Sequence, residues 1–312
     1  MEPLDWNEIK GNWATLLLPI LPSEAIDFDC LSDEIDRLID FGVSGIYSNG
    51  TAGEFYNQTE AEFDRINQVL AEKCTAAGMP FQIGASHMSP VISLERIRRS
   101  VGLEPGAIQV ILPDWFPVNM DEARSFLEKA AGVADPIGLV LYNPPHAKVK
   151  LGPEEFGRLK AAVPGLKGIK VAGGDPSWFE NMKRMTPQLS IFIAGHTLAS
   201  GFKLGASGSY SNVCCLHPGA AQRWWELIND DPEAALEMQT RIQAFLNGHI
   251  RPLINDEGYS NQSVDKLMAV IGSWSGLSPR LRWPYRWIPT DTANQLRKNA
   301  QEILPEFFPE KS

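Results

Sequence analysis

Ile137-Gly138-Leu139-Val140-Leu141-Tyr142-Asn143 and Leu166-Lys167-Gly168-Ile169-Lys170-Val171 are two short apolar runs, each carrying a polar side chain near its end. Their composition predicts strands buried on both faces, as in a parallel sheet. A lysine in such a strand is costly, because a buried ammonium must shed its water. The same desolvation lowers the pKa of Lys170 and leaves a free amine, which is what a Schiff-base nucleophile needs. A tyrosine hydroxyl on a neighbouring strand, that of Tyr142, is suited to relay protons to it. The competing reading is that Lys170 snorkels outward and Tyr142 merely packs.

Working outward from this pair, six more runs predict strands: Trp13–Leu18, Gly45–Ser48, Phe81–Gly84, Ile108–Leu112, Ser190–Ala194 and Gly205–Ser209. With Ile137–Tyr142 and Gly168–Val171 they make eight. Helical patterns lie between them, near 30–41, 59–78, 91–103, 121–134, 153–163, 176–186 and 197–203. Repeated β-α units imply a parallel sheet with right-handed crossovers, and eight that close on themselves form the TIM (β/α)8 barrel. A doubly wound sheet needs a Gly-rich turn after its first strand. Here that strand runs into Leu18-Pro19-Ile20-Leu21-Pro22.

Beyond the eighth strand the pattern is all-helical, near 218–229, 231–250, 262–272 and 291–304. The first of these helices completes the barrel. The others predict a C-terminal helical extension, which divides the chain into a barrel over 1–230 and an extension over 231–312 packed on it. Pro232 and Pro252 bracket its longest helix. Arg280–Ile288, rich in Arg, Trp and Pro, reads as irregular packing against a neighbouring element.

The chain has 312 residues, 44% hydrophobic and 21% charged, an ordinary composition for a soluble globular protein. Its net charge of -10 repels phosphate backbones and argues against a nucleic-acid partner. The N-terminus has no basic segment before an apolar stretch, and Ala14–Ile20 is too short to cross a bilayer, so the expectation is a cytoplasmic protein without a membrane partner. Cys30, Cys74, Cys214 and Cys215 form no C-x-x-C pair and predict reduced thiols. The histidines are scattered, with no H-x-H, H-E-x-x-H or His/Cys cluster, so no metal is expected.

A barrel keeps its chemistry at the C-terminal ends of its strands. Strand 2 ends in Ser48-Asn49-Gly50-Thr51-Ala52-Gly53-Glu54. Glycines let backbone N–H groups approach an anion, so this turn can grip a carboxylate at Gly50 and Ala52, with the Thr51 hydroxyl as a further donor. A tight βα turn with no ligand is the alternative. Glu54 reads as a structural hydrogen-bond acceptor. His87 and His196, at the ends of strands 3 and 7, are candidates for substrate contact, although a lone histidine is more often structural. Trp115 and Tyr210 either wall a pocket or fill space.

Taken together these segments resemble the dihydrodipicolinate synthase / N-acetylneuraminate lyase family of pyruvate-dependent class I aldolases. Gly50-Thr51-Ala52-Gly53-Glu54 is similar to the family's Gly-Thr-Thr-Gly-Glu turn, Tyr142-Asn143-Pro144-Pro145 to its Tyr-Asn-x-Pro segment, and Gly168-Ile169-Lys170 to its Gly-Ile/Leu-Lys strand. The resemblance implies that Lys170 forms an imine with a 2-oxo acid, that Tyr142 shuttles protons to the carbinolamine and to the aldehyde or alkoxide oxygen, and that Thr51 with the turn amides holds the carboxylate. It implies no cofactor, a small-molecule 2-oxo acid as partner, and a homo-oligomer, a tetramer or a dimer. The departures are Ala52 for the second threonine, Trp115 for a tyrosine lent across an interface, and Ala147, beside Lys148, for an arginine. Val171-Ala172-Gly173-Gly174 lacks the acidic residue many relatives carry, and Tyr210 replaces a smaller group. These changes count against the lysine-biosynthesis reaction and leave the imine machinery intact, so the expectation is a Schiff-base lyase, an aldolase or dehydratase acting on a 2-keto-3-deoxy sugar acid or related compound. The alternatives are dihydrodipicolinate synthase, condensing pyruvate with aspartate semialdehyde, and a catalytically silent metabolite-binding relative.

Overall fold

The computed structural model describes residues 1–308. Eight parallel strands pair in sequence order and close, β8 returning to β1. They are β1 (Gly11–Thr15), β2 (Gly45–Ser48), β3 (Phe81–Gly84), β4 (Ala107–Ile111), β5 (Gly138–Tyr142), β6 (Leu166–Lys170), β7 (Ser190–Ala194) and β8 (Gly208–Tyr210). Seven helices follow the first seven strands: α1 (Phe28–Asp40), α2 (Glu60–Ala77), α3 (Pro90–Val101), α4 (Met120–Ala134), α5 (Pro153–Ala162), α6 (Pro176–Met185) and α7 (Leu198–Leu204). The fold is a TIM (β/α)8 barrel with a helical C-terminal part.

Strand alternation builds two apolar layers. Residues such as Ile46, Ile83, Ile108 and Leu139 point outward against the helices, in one large core. Trp13, Tyr47, Val140, Phe192 and Tyr210 belong to a second, separate cluster inside the barrel. Helix starts are fixed by side-chain caps: Asp27 accepts the Cys30 N–H, and Thr59 and Asn119 form capping boxes with Glu62 and Glu122.

Five strands differ from their expected ranges: β4, β5 and β6 by one or two residues, β1 and β8 by more. β1 begins earlier, at Gly11, and ends at Thr15, because the Leu17 N–H leaves the sheet to donate to the Glu34 carboxylate at 2.9 Å. β8 begins later, at Gly208, because Gly205 adopts φ +118° and caps α7 instead.

After β8 come α8 (Asn212–Leu216), α9 (Pro218–Asp230), α10 (Pro232–Phe245), α11 (Arg251–Asn255), α12 (Asn261–Gly272) and α13 (Thr290–Ile303). The helix expected over 231–250 does not stop at Pro252. A π-turn at Leu246–Ile250 joins α10 to α11, with Pro252 in the first turn of the latter. A proline ring clashes with the carbonyl four residues back in a regular helix, and a wider turn relieves that clash. Arg280–Ile288 packs irregularly, as expected: the Arg282 guanidinium spans the Glu62 carboxylate at 2.7 Å and the carbonyls of Glu24 and Asn57. Among the described residues no helix is long and apolar enough to cross a membrane.

Candidate active site

β5 and β6 lie side by side with Tyr142 and Lys170 in register, and β7 places Phe192 beside Lys170. Lys170 turns inward. Its ammonium donates to the Tyr47 hydroxyl at 3.0 Å and lies 4.2 Å from the Tyr142 ring centre, 4.9 Å from that of Tyr47 and 5.1 Å from that of Tyr210. Aromatic faces attract a cation but supply no counter-charge of their own. Burial pulls the Lys170 pKa down to about 8, with the charges of Asp265 and Cys215 acting in the opposite direction. Burial also raises the Tyr142 phenol, which the neighbouring Thr51 side chain opposes.

Two cavities meet at this point. One, of about 390 Å³, holds Lys170 and is rimmed by His196, Asn212, Arg251, Asn261 and Asp265. The other, of about 400 Å³, is mostly apolar like the first, with Phe55, Met88, Leu112 and Tyr285 in its wall. Thr51, Tyr142, His146 and Asn261 line both.

Of the residues expected at the site, Lys170, Tyr142, Thr51, Ala52, Tyr210 and His196 all border the lysine cavity. Gly50 stands just behind it. A Cβ at Gly50 would press to 2.5 Å on the Tyr47 ring, so its bareness lets that tyrosine reach Lys170. His87 is not brought to either cavity. Its Nδ1 accepts the Ser89 N–H at 2.9 Å, at the start of α3, and burial lowers its pKa. The Tyr210 hydroxyl points across the barrel and donates to Gln82 at 2.6 Å. His196 is held by the Asn212 side chain, and burial lowers its pKa.

Glu54 takes the structural place expected of it. The turn gives it φ +50°, and its carboxylate accepts the buried Lys266 ammonium at 2.6 Å and the Arg282 N–H at 3.1 Å. Lys148 lies outside both cavities: its ammonium donates to the Trp115 carbonyl at 2.9 Å, and its N–H to Asp114 at 3.0 Å. Trp115 and Phe116 are 79% and 84% exposed. Among the described residues no His, Cys, Asp and Glu side chains gather as a metal-ligand group.

Sequence reasoning missed Tyr47 and Asp265. Tyr47 had a signal, because alternation in Gly45-Ile46-Tyr47-Ser48 sends it to the face opposite Ile46, into the barrel. Asp265 had none: it flanks the apolar stripe of α12 like any solvated helical residue. Burial raises its carboxyl to about 7, with Lys170 as the opposing influence.

A barrel whose sixth strand delivers a desolvated lysine among tyrosines defines a lyase of the class I aldolase type. The chain belongs to the dihydrodipicolinate synthetase family, whose model matches residues 8–303. It is 22% identical to an N-acetylneuraminate lyase of Escherichia coli over 302 residues, 96% of this chain and 98% of the relative. Among solved structures it is similar to YagE of E. coli K12 in complex with pyruvate (TM-score 0.82, 18% identity, 95% of this chain and 98% of that one). It is similar also to a Ruminococcus gnavus sialic acid aldolase (TM-score 0.83, 18% identity, 96% and 100%). At these identities the likeness to the solved structures is one of fold.

Proposed function

We propose that this lyase forms an imine between Lys170 and the ketone of a 2-oxo acid, and then cleaves or dehydrates a 2-keto-3-deoxy sugar acid or a related hydroxy acid. The observation that carries the reading is the Lys170 amine itself, desolvated, without a carboxylate in contact, and open to a cavity. A pKa near 8 leaves a usable fraction of free amine at neutral pH. The protonated imine is an electron sink, so a carbanion at the adjacent carbon becomes accessible as an enamine without a cofactor.

Tyr142 is the proton relay at the carbinolamine. Thr51 and the turn amides from Gly50 to Ala52 hold the substrate carboxylate, and Tyr210 and His196 shape the wall. The polar rim of the lysine cavity supports a hydroxylated substrate tail. The N-acetylneuraminate lyase relative supports the cleavage direction. Condensation with aspartate semialdehyde is less well supported. A distal carboxylate calls for a bidentate cation; after the Tyr142 segment Ala147 lines the second cavity while Lys148 is engaged by Trp115, and the one guanidinium among the described residues lining either cavity is that of Arg251, on the opposite, C-terminal part of the chain. The protein is further proposed to be a cytoplasmic homo-oligomer, with the exposed Trp115 and Phe116 as interface anchors. Sedimentation as a monomer at micromolar concentration would count against that.

The test of the imine is intact-protein mass after incubation with pyruvate and borohydride. A reduced pyruvyl adduct on the wild type and none on Lys170→Ala is the expected result. An adduct on both, or on neither with any of several 2-oxo acids, rejects the mechanism.

A further inference from the structure

Asp265, in the second turn of α12, is the one acidic side chain among the described residues that line the lysine cavity. Among those residues it has no hydrogen-bond or ion-pair partner, and only burial and the charge of Lys170 act on its titration. Its direction is fixed by the next residue. Lys266 is fully buried, with its ammonium bonded to Glu54 at 2.6 Å and to the Arg280 carbonyl at 2.7 Å. Successive helical residues point about 100° apart, so a clamp on Lys266 sets where Asp265 aims.

A carboxylate facing a cavity without a protein donor awaits one from a ligand. A second carboxylate there would be repelled, whereas a hydroxyl fits. We propose that Asp265 exchanges the proton of the substrate's 4-hydroxyl, leaving Tyr142 to serve the imine nitrogen. This assignment rests on the imine reading above. In cleavage, the 4-hydroxyl proton passes to the Asp265 carboxylate and the O–H pair becomes the second bond of the new aldehyde carbonyl. The C3–C4 bond breaks, and its pair forms the C2–C3 double bond of the enamine while the C2–N pair returns to nitrogen. The aldehyde leaves, and Asp265 holds the proton.

Basicity favours this division. Burial lifts the Tyr142 phenol above its ordinary value, which makes phenolate scarce at neutral pH. The Asp265 carboxyl, raised to about 7, can take and return a proton there. The groups facing it are Lys170 on β6, Tyr47 on β2, Tyr142 on β5 and Cys215 on α8, with Arg251 and His196 on the cavity rim.

The experiment compares Asp265→Asn with wild type in two assays: borohydride trapping of pyruvate, and release of pyruvate from 2-keto-3-deoxygluconate and 2-keto-3-deoxygalactonate. Asp265→Asn is expected to trap pyruvate at least as fully as wild type, because losing the nearby charge favours the free Lys170 amine. Its kcat for cleavage should fall by about 10²–10⁴-fold. The pH profile of cleavage should lose its limb near pH 7, and Asp265→Glu should recover part of the rate. Cleavage within about threefold of wild type, with an unchanged profile, overturns the assignment. So does a wild type that traps pyruvate yet cleaves neither acid. A wild type that traps no pyruvate instead rejects the imine reading, and the assignment with it.

Discussion

Lys170 and Lys266 are both lysines withdrawn from bulk water, the first half-buried at the end of β6 and the second fully buried in the middle of α12. They are treated in opposite ways. Lys266 is met by a full negative charge and a carbonyl, with side-chain exposures of 0% for the lysine and 1% for Glu54. Lys170 is met by one phenol and three ring faces. A buried ammonium with a carboxylate in contact has reason to stay charged and fixes structure. One with only weak partners is pushed toward the free amine, which is the nucleophilic form. Counting buried lysines therefore does not find a reactive one; the test is whether the charge is answered.

The contrast can be broken at either end. The largest effect is expected of Lys170→Ala, which should abolish turnover in a steady-state assay; retention of full activity would leave Lys170 a packing residue. Tyr142→Phe should lower turnover by about 10²–10⁴-fold, the usual loss for a missing general acid–base. If the rate falls by much less, the phenol is wall rather than relay. Glu54→Gln leaves the Lys266 charge buried and unanswered, and should lower unfolding free energy in urea by about 3–5 kcal/mol. The folded fraction should still trap pyruvate, because the clamp is not part of the imine chemistry. The smallest effect is in pH. The Lys170 pKa is depressed to about 8, so the free amine grows as pH rises toward that value and is saturated above it. The initial rate of adduct formation should rise by about tenfold per unit on the acidic side and then flatten. A midpoint near the ordinary lysine value of about 10.4 would mean that the cavity is wetter than its geometry implies.

The barrel and its candidate strand ends were legible because their signals are local. Apolar runs of a few residues mark buried strands, and Tyr142 and Lys170 are out of place in theirs. The Gly50–Glu54 turn carries its own conformational signature. The edges of β1 and β8 shifted because Glu34 and Gly205 redirect the backbone there, through a contact from another element and a helix cap. Asp265 and Lys266 could not be read in this way. Each is an ordinary polar residue on an amphipathic helix, and the partner of Lys266 lies 212 positions earlier in the chain. His87 shows the reverse failure: it follows a strand end, but the Ser89 N–H claims its ring.

The side-by-side placement of Asp265 and Lys266 ties ligand occupancy to local opening. A ligand that engages Asp265 binds only when α12 is docked, so it stabilises the docked form by mass action. The Arg282 N–H, bonded to Glu54 on the far side of the clamp, then becomes a remote reporter. Its hydrogen exchange should slow when the cavity fills, although Arg282 does not line that cavity.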